Sequence, residues 1–224
     1  TLSFGNPNNQ ITINSGNVPV DVTVNLVKSA PTDFTTAVKR KYTITPNGGS
    51  GISATLRLHY NDADLNSNNE SFLDLWRFGA SWVSQGHTTR DANANWVELS
   101  GVTAFSPWAI ATHVNQPPTV TGASTFVNVQ TSSGLVVTAA AGDSDVTYFK
   151  ITNITNGTLF KHDDTPINAG NFITVAEGGA GLKFTPTTDF SGNGSFDAQS
   201  SFDNSGTGLS GATTTTIAVN KYNT

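Results

Sequence analysis

The stretch "GLKFTPTTDFSGNGSFDAQ", residues 181–199, decides how the second half of this chain is read. Leu182 and Phe184 flank Lys183 in a strand-like run, and Pro186 ends it because proline has no N–H to give a ladder. Asp189 is placed to accept hydrogen bonds from turn amides, and Phe190 to plug a core. Gly192 and Gly194 permit backbone angles that other residues resist, and Phe196 returns the chain to the interior. Strand, corner, strand accounts for Phe184, Pro186, Asp189, Phe190, Gly192 and Phe196 as structural residues, without a ligand.

The same grammar extends outward. Helical periodicity is almost absent, and short alternating runs bounded by Gly, Asn and Pro predict strands. In "DVTVNLVKS", Val22, Val24 and Leu26 share a face; in "ISATLRLHY", Ile52, Ala54, Leu56 and Leu58 do. "SFLDLWRF", "NWVELSGVTAF" and "FSPWAIAT" complete a first set. Pro117-Pro118 in "THVNQPPTVTG" stiffens the chain, which predicts a short semi-rigid linker and a boundary after residue 115. Eight further strand candidates follow, from "FVNVQT" to "TTTTIAVN". The expected fold is all-β: two consecutive antiparallel sandwiches over 1–115 and 116–224.

Composition agrees. Of 224 residues only 12% are charged, while thirteen Phe and four Trp suffice for two cores. A net charge of −5 argues against nucleic acid and anionic membrane surfaces as partners. No run is apolar enough to insert in a membrane. Lys39-Arg40-Lys41 reads as a solvated strand edge. Without Cys there is no disulfide or thiolate chemistry.

Motifs for catalysis are thin. "GTGLSG", residues 206–211, matches a dinucleotide loop by letter, but a β-branched run follows where a helix would be needed. No nucleophile elbow or His-x-x-x-His pair occurs. The chain therefore reads as non-enzymatic and free of cofactors, calcium excepted. Asp62, Asp64, Asn66, Asn68 and Glu70 place side-chain oxygens at every second residue, as a calcium loop does. A loop satisfying its own backbone through Asx side chains accounts for the same pattern. Asp143 and Asp145 form a second carboxylate pair. All four Trp fall between residues 76 and 108. Trp108 alternates with Ile110 as a core residue does; Trp82 and Trp96 are the candidates for stacking on a glycan. Lys150 and Lys183 are the lysines to consider for an isopeptide crosslink, with Lys183 facing outward.

"YFKITNITNGTLF" (148–160), "FITVAEGGAGLKFTP" (172–186) and "DFSGNGSFDAQ" (189–199) resemble the cadherin-like tandem repeats of very large bacterial surface proteins. The resemblance covers about residues 117–220, and the earlier part of the chain resembles an accessory β-module of similar proteins. It implies an Ig/cadherin-like sandwich, extracellular and at the cell surface, with neighbouring repeats or copies of itself as partners. Cadherins proper hold calcium around the linker with acidic clusters. The linker here has no acidic residue, so that clamp does not carry over. The expected function is a structural or adhesive segment, spacer or contact, of a surface protein or fibre. The alternative is a carbohydrate-binding module using the tryptophans.

Overall fold

The computed structural model describes residues 1–222 as an all-β chain. It divides into two compact units, Thr1–His113 and the part from Val114 onward.

The first unit contains β1 (Leu2–Phe4), β2 (Asn6–Asn17), β3 (Asp21–Val27), β4 (Lys41–Asn47) and β5 (Ser50–His59). It continues with β6 (Leu73–Phe78), β7 (Trp82–Gly86), β8 (Thr89–Asp91), β9 (Trp96–Val102) and β10 (Pro107–Thr112). These form two antiparallel sheets in the orders β1-β2-β5-β9-β8 and β3-β4-β10-β6-β7. Alternation sets the core between them: Leu56 and Leu58 of β5, Leu73 and Leu75 of β6, and Trp108 and Ile110 of β10 are buried together. Burying one leucine side chain contributes about 2 kcal/mol, so this layer dominates the stability of the unit.

The strands at the centre of the second sheet are buried on both faces. Ala109 and Ala111 point away from the main core yet are covered, with Ala37, by Phe34, Trp76 and Trp82. The segment between β3 and β4 supplies Phe34 and Ala37 and is tied down by Val38 N–H to Ile110 O at 2.8 Å, while Trp76 and Trp82 come from β6 and β7. This corrects the reading of the Lys39-Arg40-Lys41 run as a solvated edge at Arg40, while Lys39 is exposed as expected. Arg40 is buried, with its Nε 2.7 Å from Asp64 Oδ2. Burial works against its charge, but hydrogen bonds to Tyr42 and Asp64 outweigh that and raise its pKa further.

The second unit contains β11 (Thr119–Val120), β12 (Ala123–Phe126), β13 (Val137–Thr138), β14 (Tyr148–Thr155) and β15 (Gly157–Phe160). It continues with β16 (Pro166–Ile167), β17 (Phe172–Thr174), the one-turn helix α1 (Val175–Gly179), β18 (Lys183–Pro186), β19 (Gly192–Ser201) and β20 (Thr213–Asn220). The main sheet has the order β12-β20-β19-β14-β17, beside a smaller sheet β16-β15-β18 and the pair β11-β13. Phe149, Ile151, Leu159, Phe184, Phe196 and Ile217 fill the core.

Two details depart from the sequence reading. β12 runs parallel to β20, not antiparallel, which the long intervening chain permits. The expected linker also belongs to the second unit. Asn115 Nδ2 donates to Gly208 O at 2.7 Å and Gln116 N–H to Asp143 Oδ2 at 2.7 Å, while Pro118 is buried.

Candidate functional site

The acidic loop at 62–70 is a web of braces. Asp62–Asp64 forms a single 3-10 turn. Asp62 Oδ1 accepts from Asn95 Nδ2 at 2.5 Å, and Asp64 is paired with Arg40. Asn66 Nδ2 donates to Thr35 O and Ala37 O at 2.8 and 2.9 Å. Asn68 Nδ2 donates to Thr36 O, and its Oδ1 accepts from Thr112 N–H at 2.7 Å. Glu70 opens a second 3-10 turn capped by Asn69, and a nearby Tyr60 hydroxyl has its pKa raised by burial and by Glu70. The structure thus sends the oxygens and amides of Asp62, Asp64, Asn66, Asn68 and Glu70 in different directions. Asp64, Asn66 and Asn68 clamp residues 35–40 onto the sheet, while Asp62 reaches the Asn95 turn.

A polar centre that sequence spacing did not suggest lies on β6. Asp74 alternates with Leu73 and Leu75, so it points to the outer face of its sheet, yet it is buried. Its Oδ2 accepts from His113 Nδ1 at 2.6 Å and from Ser84 Oγ at 2.7 Å; its Oδ1 accepts from His87 Nδ1 at 2.9 Å. A carboxylate only accepts, so both imidazoles carry a proton on Nδ1. Arg90 Nη1 donates to Leu73 O at 3.0 Å close by. Burial alone would raise the Asp74 pKa, but the donors His113, His87 and Ser84 reverse this and hold the carboxyl far below the usual range. The arrangement fixes an anion and joins β6 and β7 to the end of β10.

The tryptophans take three different roles. Trp108 is core. Trp96 lies on β9 with the Arg57 guanidinium 3.9 Å over its ring, and Arg57 is in turn paired with Glu98. Trp82 lies on β7 of the other sheet, so the structure does not bring Trp82 and Trp96 together. Trp76, which the sequence reading passed over, belongs with Trp82. Phe34 lies 5.0 Å from Trp76 and 5.7 Å from Trp82, and Phe78 lies 5.4 Å from Trp82. With Asp33 and Ser81 these rings line a shallow hollow of about 410 Å³. Trp82 Nε1 donates to Asp33 Oδ1 at 2.9 Å, and Trp76 Nε1 to Ala111 O at 3.2 Å.

In the second unit, residues 181–199 form β18, a corner and β19. Phe184 and Phe196 are fully buried. Gly194 is needed for space, not for an unusual angle: a Cβ there would sit 2.4 Å from the Phe184 ring, and one at Gly157 would sit 2.3 Å from it. Phe184 is therefore seated between two glycines. Gly192 does take a positive φ of 134°, over the Phe190 ring, and Pro186 closes β18 opposite Gly157. Asp189 is exposed, and its side chain accepts from the Asn128 side chain where turn amides had been expected.

Asp143 accepts the Gln116 N–H within a turn that also contains Asp145. Lys183 Nζ pairs with Asp164 at 2.9 Å, and that aspartate side chain is 64% exposed, so the lysine faces water. Lys150 Nζ lies 5.9 Å over the Phe172 ring. The Gly206–Gly211 loop leads into β20, with Gly208 pressed against Phe202.

No helix among the described residues is long and apolar enough to cross a membrane. Compared with protein-family models, with curated proteins and with solved structures, the chain matches none of them.

Proposed function

We propose that this chain is a non-catalytic structural or adhesive segment of an extracellular bacterial surface protein or fibre, built from two Ig/cadherin-like sandwiches. The observation that carries the reading is where the polar chemistry goes. The acidic loop clamps residues 35–40, Asp74 ties three strands, and Asp143 anchors the start of the second unit. Groups that would serve a reaction serve instead to pin loops onto two separate apolar cores. That is what a segment needs when its task is to stay folded in an unprotected setting. An antibody raised against the chain tests the location: it should label intact source cells, and labelling only after permeabilisation would refute the reading.

One observation favours glycan binding as a second reading. The hollow of Phe34, Trp76, Phe78 and Trp82 offers ring faces beside a carboxylate and a hydroxyl, which is the mixed surface a pyranose fits. Trp82 keeps its place in this reading and Trp96 leaves it. Titrating neutral oligosaccharides against tryptophan emission tests it. A saturable shift abolished by Trp82→Ala supports the reading, and no shift with any sugar removes it.

A further inference from the structure

The two sheets of the first unit do not meet on one side. There β1 and β2 face β3 across a cleft of about 650 Å³, lined mainly by Leu2, Phe4, Ile13, Val18, Val20 and Val22. Val18 is 70% exposed and Val20 87% exposed, more than any other large apolar residue described. Val22, Val24 and Leu26 point toward the core but are only partly buried, so this seam is incompletely covered.

The two borders of the seam differ. The edge formed by β1 and β2 is guarded: Pro7 removes a donor, and the pairing shifts register between Ser3 and Phe4. β3 is unguarded. It runs for seven residues, contains no proline or lysine, and pairs with β4 without a bulge from Asp21↔Asn47 to Val27↔Lys41. Among the described residues, the other strands at sheet edges are two to five residues long. Among the described residues, β3 is therefore the longest edge strand, with its free side beside the most exposed valines.

We propose that β3 pairs antiparallel with β3 of a second copy, centred on Val24 against Val24. This rests on the structural reading above and names its partner. In that register Val22 faces Leu26 on the inner side and Thr23 faces Asn25 on the outer side, so apolar meets apolar and polar meets polar. The charges select a second copy and the direction. The segment opens with Asp21 and is followed by Lys28, with no charge between them. An antiparallel copy brings the lysine end of one strand to the aspartate end of the other. A parallel copy would oppose like charges. Lys28 of the second copy then lies opposite Val20, with its methylene stem over that valine. The two five-stranded sheets become one of ten strands by main-chain bonding, the mode of β-strand addition.

Sedimentation velocity of the full chain tests this, with Thr23→Lys/Asn25→Lys as the variant. Both residues are exposed on the outer face, so folding should be unaffected. At about 100 µM, where mass action fills a dimer of micromolar affinity, wild type should sediment as a dimer. The variant sets two Lys–Lys pairs across the interface and should dissociate at least about tenfold more readily, with an unchanged melt. Amides of β3 should also gain exchange protection with concentration. A wild type that stays monomeric, or a variant that dimerises equally, overturns the proposal. Failure here with intact-cell labelling preserved leaves the structural reading standing and removes only self-pairing.

Discussion

Asn128 and Asp189 hold each other by both ends. Asn128 Nδ2 donates to Asp189 Oδ1 at 3.0 Å, and the Asp189 N–H donates to Asn128 Oδ1 at 2.8 Å. Both residues have positive φ, 61° and 59°, where Asn and Asp are better tolerated than other side chains. Each loop tip thus supplies the conformation that lets it grip the other. Asp189→Ala should lose one hydrogen bond and add left-handed strain, costing the second unit about 1–2 kcal/mol. Asp189→Asn should cost less, since it tolerates the same φ and keeps an acceptor. Chemical denaturation followed by backbone NMR resolves the second unit, which contains no tryptophan.

Gly194 and Gly157 make the seat of Phe184. Gly194→Ala forces a Cβ into the ring and should destabilise the second unit by about 2–3 kcal/mol, as overpacking does. Adding Phe184→Leu should recover part of that loss. If Gly194→Ala melts as wild type does, the seat is not tight.

Asp74 carries a comparable weight in the first unit. Asp74→Ala leaves Ser84, His87 and His113 without their shared acceptor in a buried setting, which should cost about 3 kcal/mol. All four tryptophans lie in this unit, so their emission follows its unfolding without interference from the other.

The depressed pKa of Asp74 gives a pH signature. An unfolded aspartate titrates near about 3.9, whereas the folded one stays ionised well below that. Above the unfolded value the full stabilisation is present, and it is lost as pH falls, because the unfolded chain takes up the proton first. Asp74→Asn should therefore destabilise the first unit more at about pH 6 than at about pH 3. An equal gap at both pH values would show that the carboxylate is not held ionised by its neighbours.

The alternation that predicts strands was readable where one face is apolar, as in β3, β5 and the start of β14. The same alternation is present in β2 and β4, where Ile11 and Ile13, and Tyr42 and Ile44, are spaced by two among Asn and Thr. With only two apolar residues each, these runs do not stand out as strands. The capping box of α1 was also written in the sequence: Thr174 Oγ1 accepts from Glu177 N–H, and Glu177 Oε2 accepts from Thr174 N–H. Phe172–Thr174, within "FITVA", does form β17, and α1 begins only at Val175. What spacing does not reveal is tertiary. Asp74, Ser84, His87 and His113 meet only because β6, β7 and β10 are neighbours. Arg40 looked solvated because nothing local shows that Asp64 waits beside it. The alternating Asx residues at 62–70 include Asn66 and Asn68, which brace a crossing segment that spacing alone does not reveal.

The structural reading proposed above requires that each of the two separately cored units stay folded by itself. Pulling the full chain by its ends in a single-molecule instrument tests it most directly. Each unit holds about 110 residues, so two separate unfolding events are expected, each releasing roughly 350–400 Å of chain. A single event releasing the whole length, or extension with no resolvable event, would contradict it.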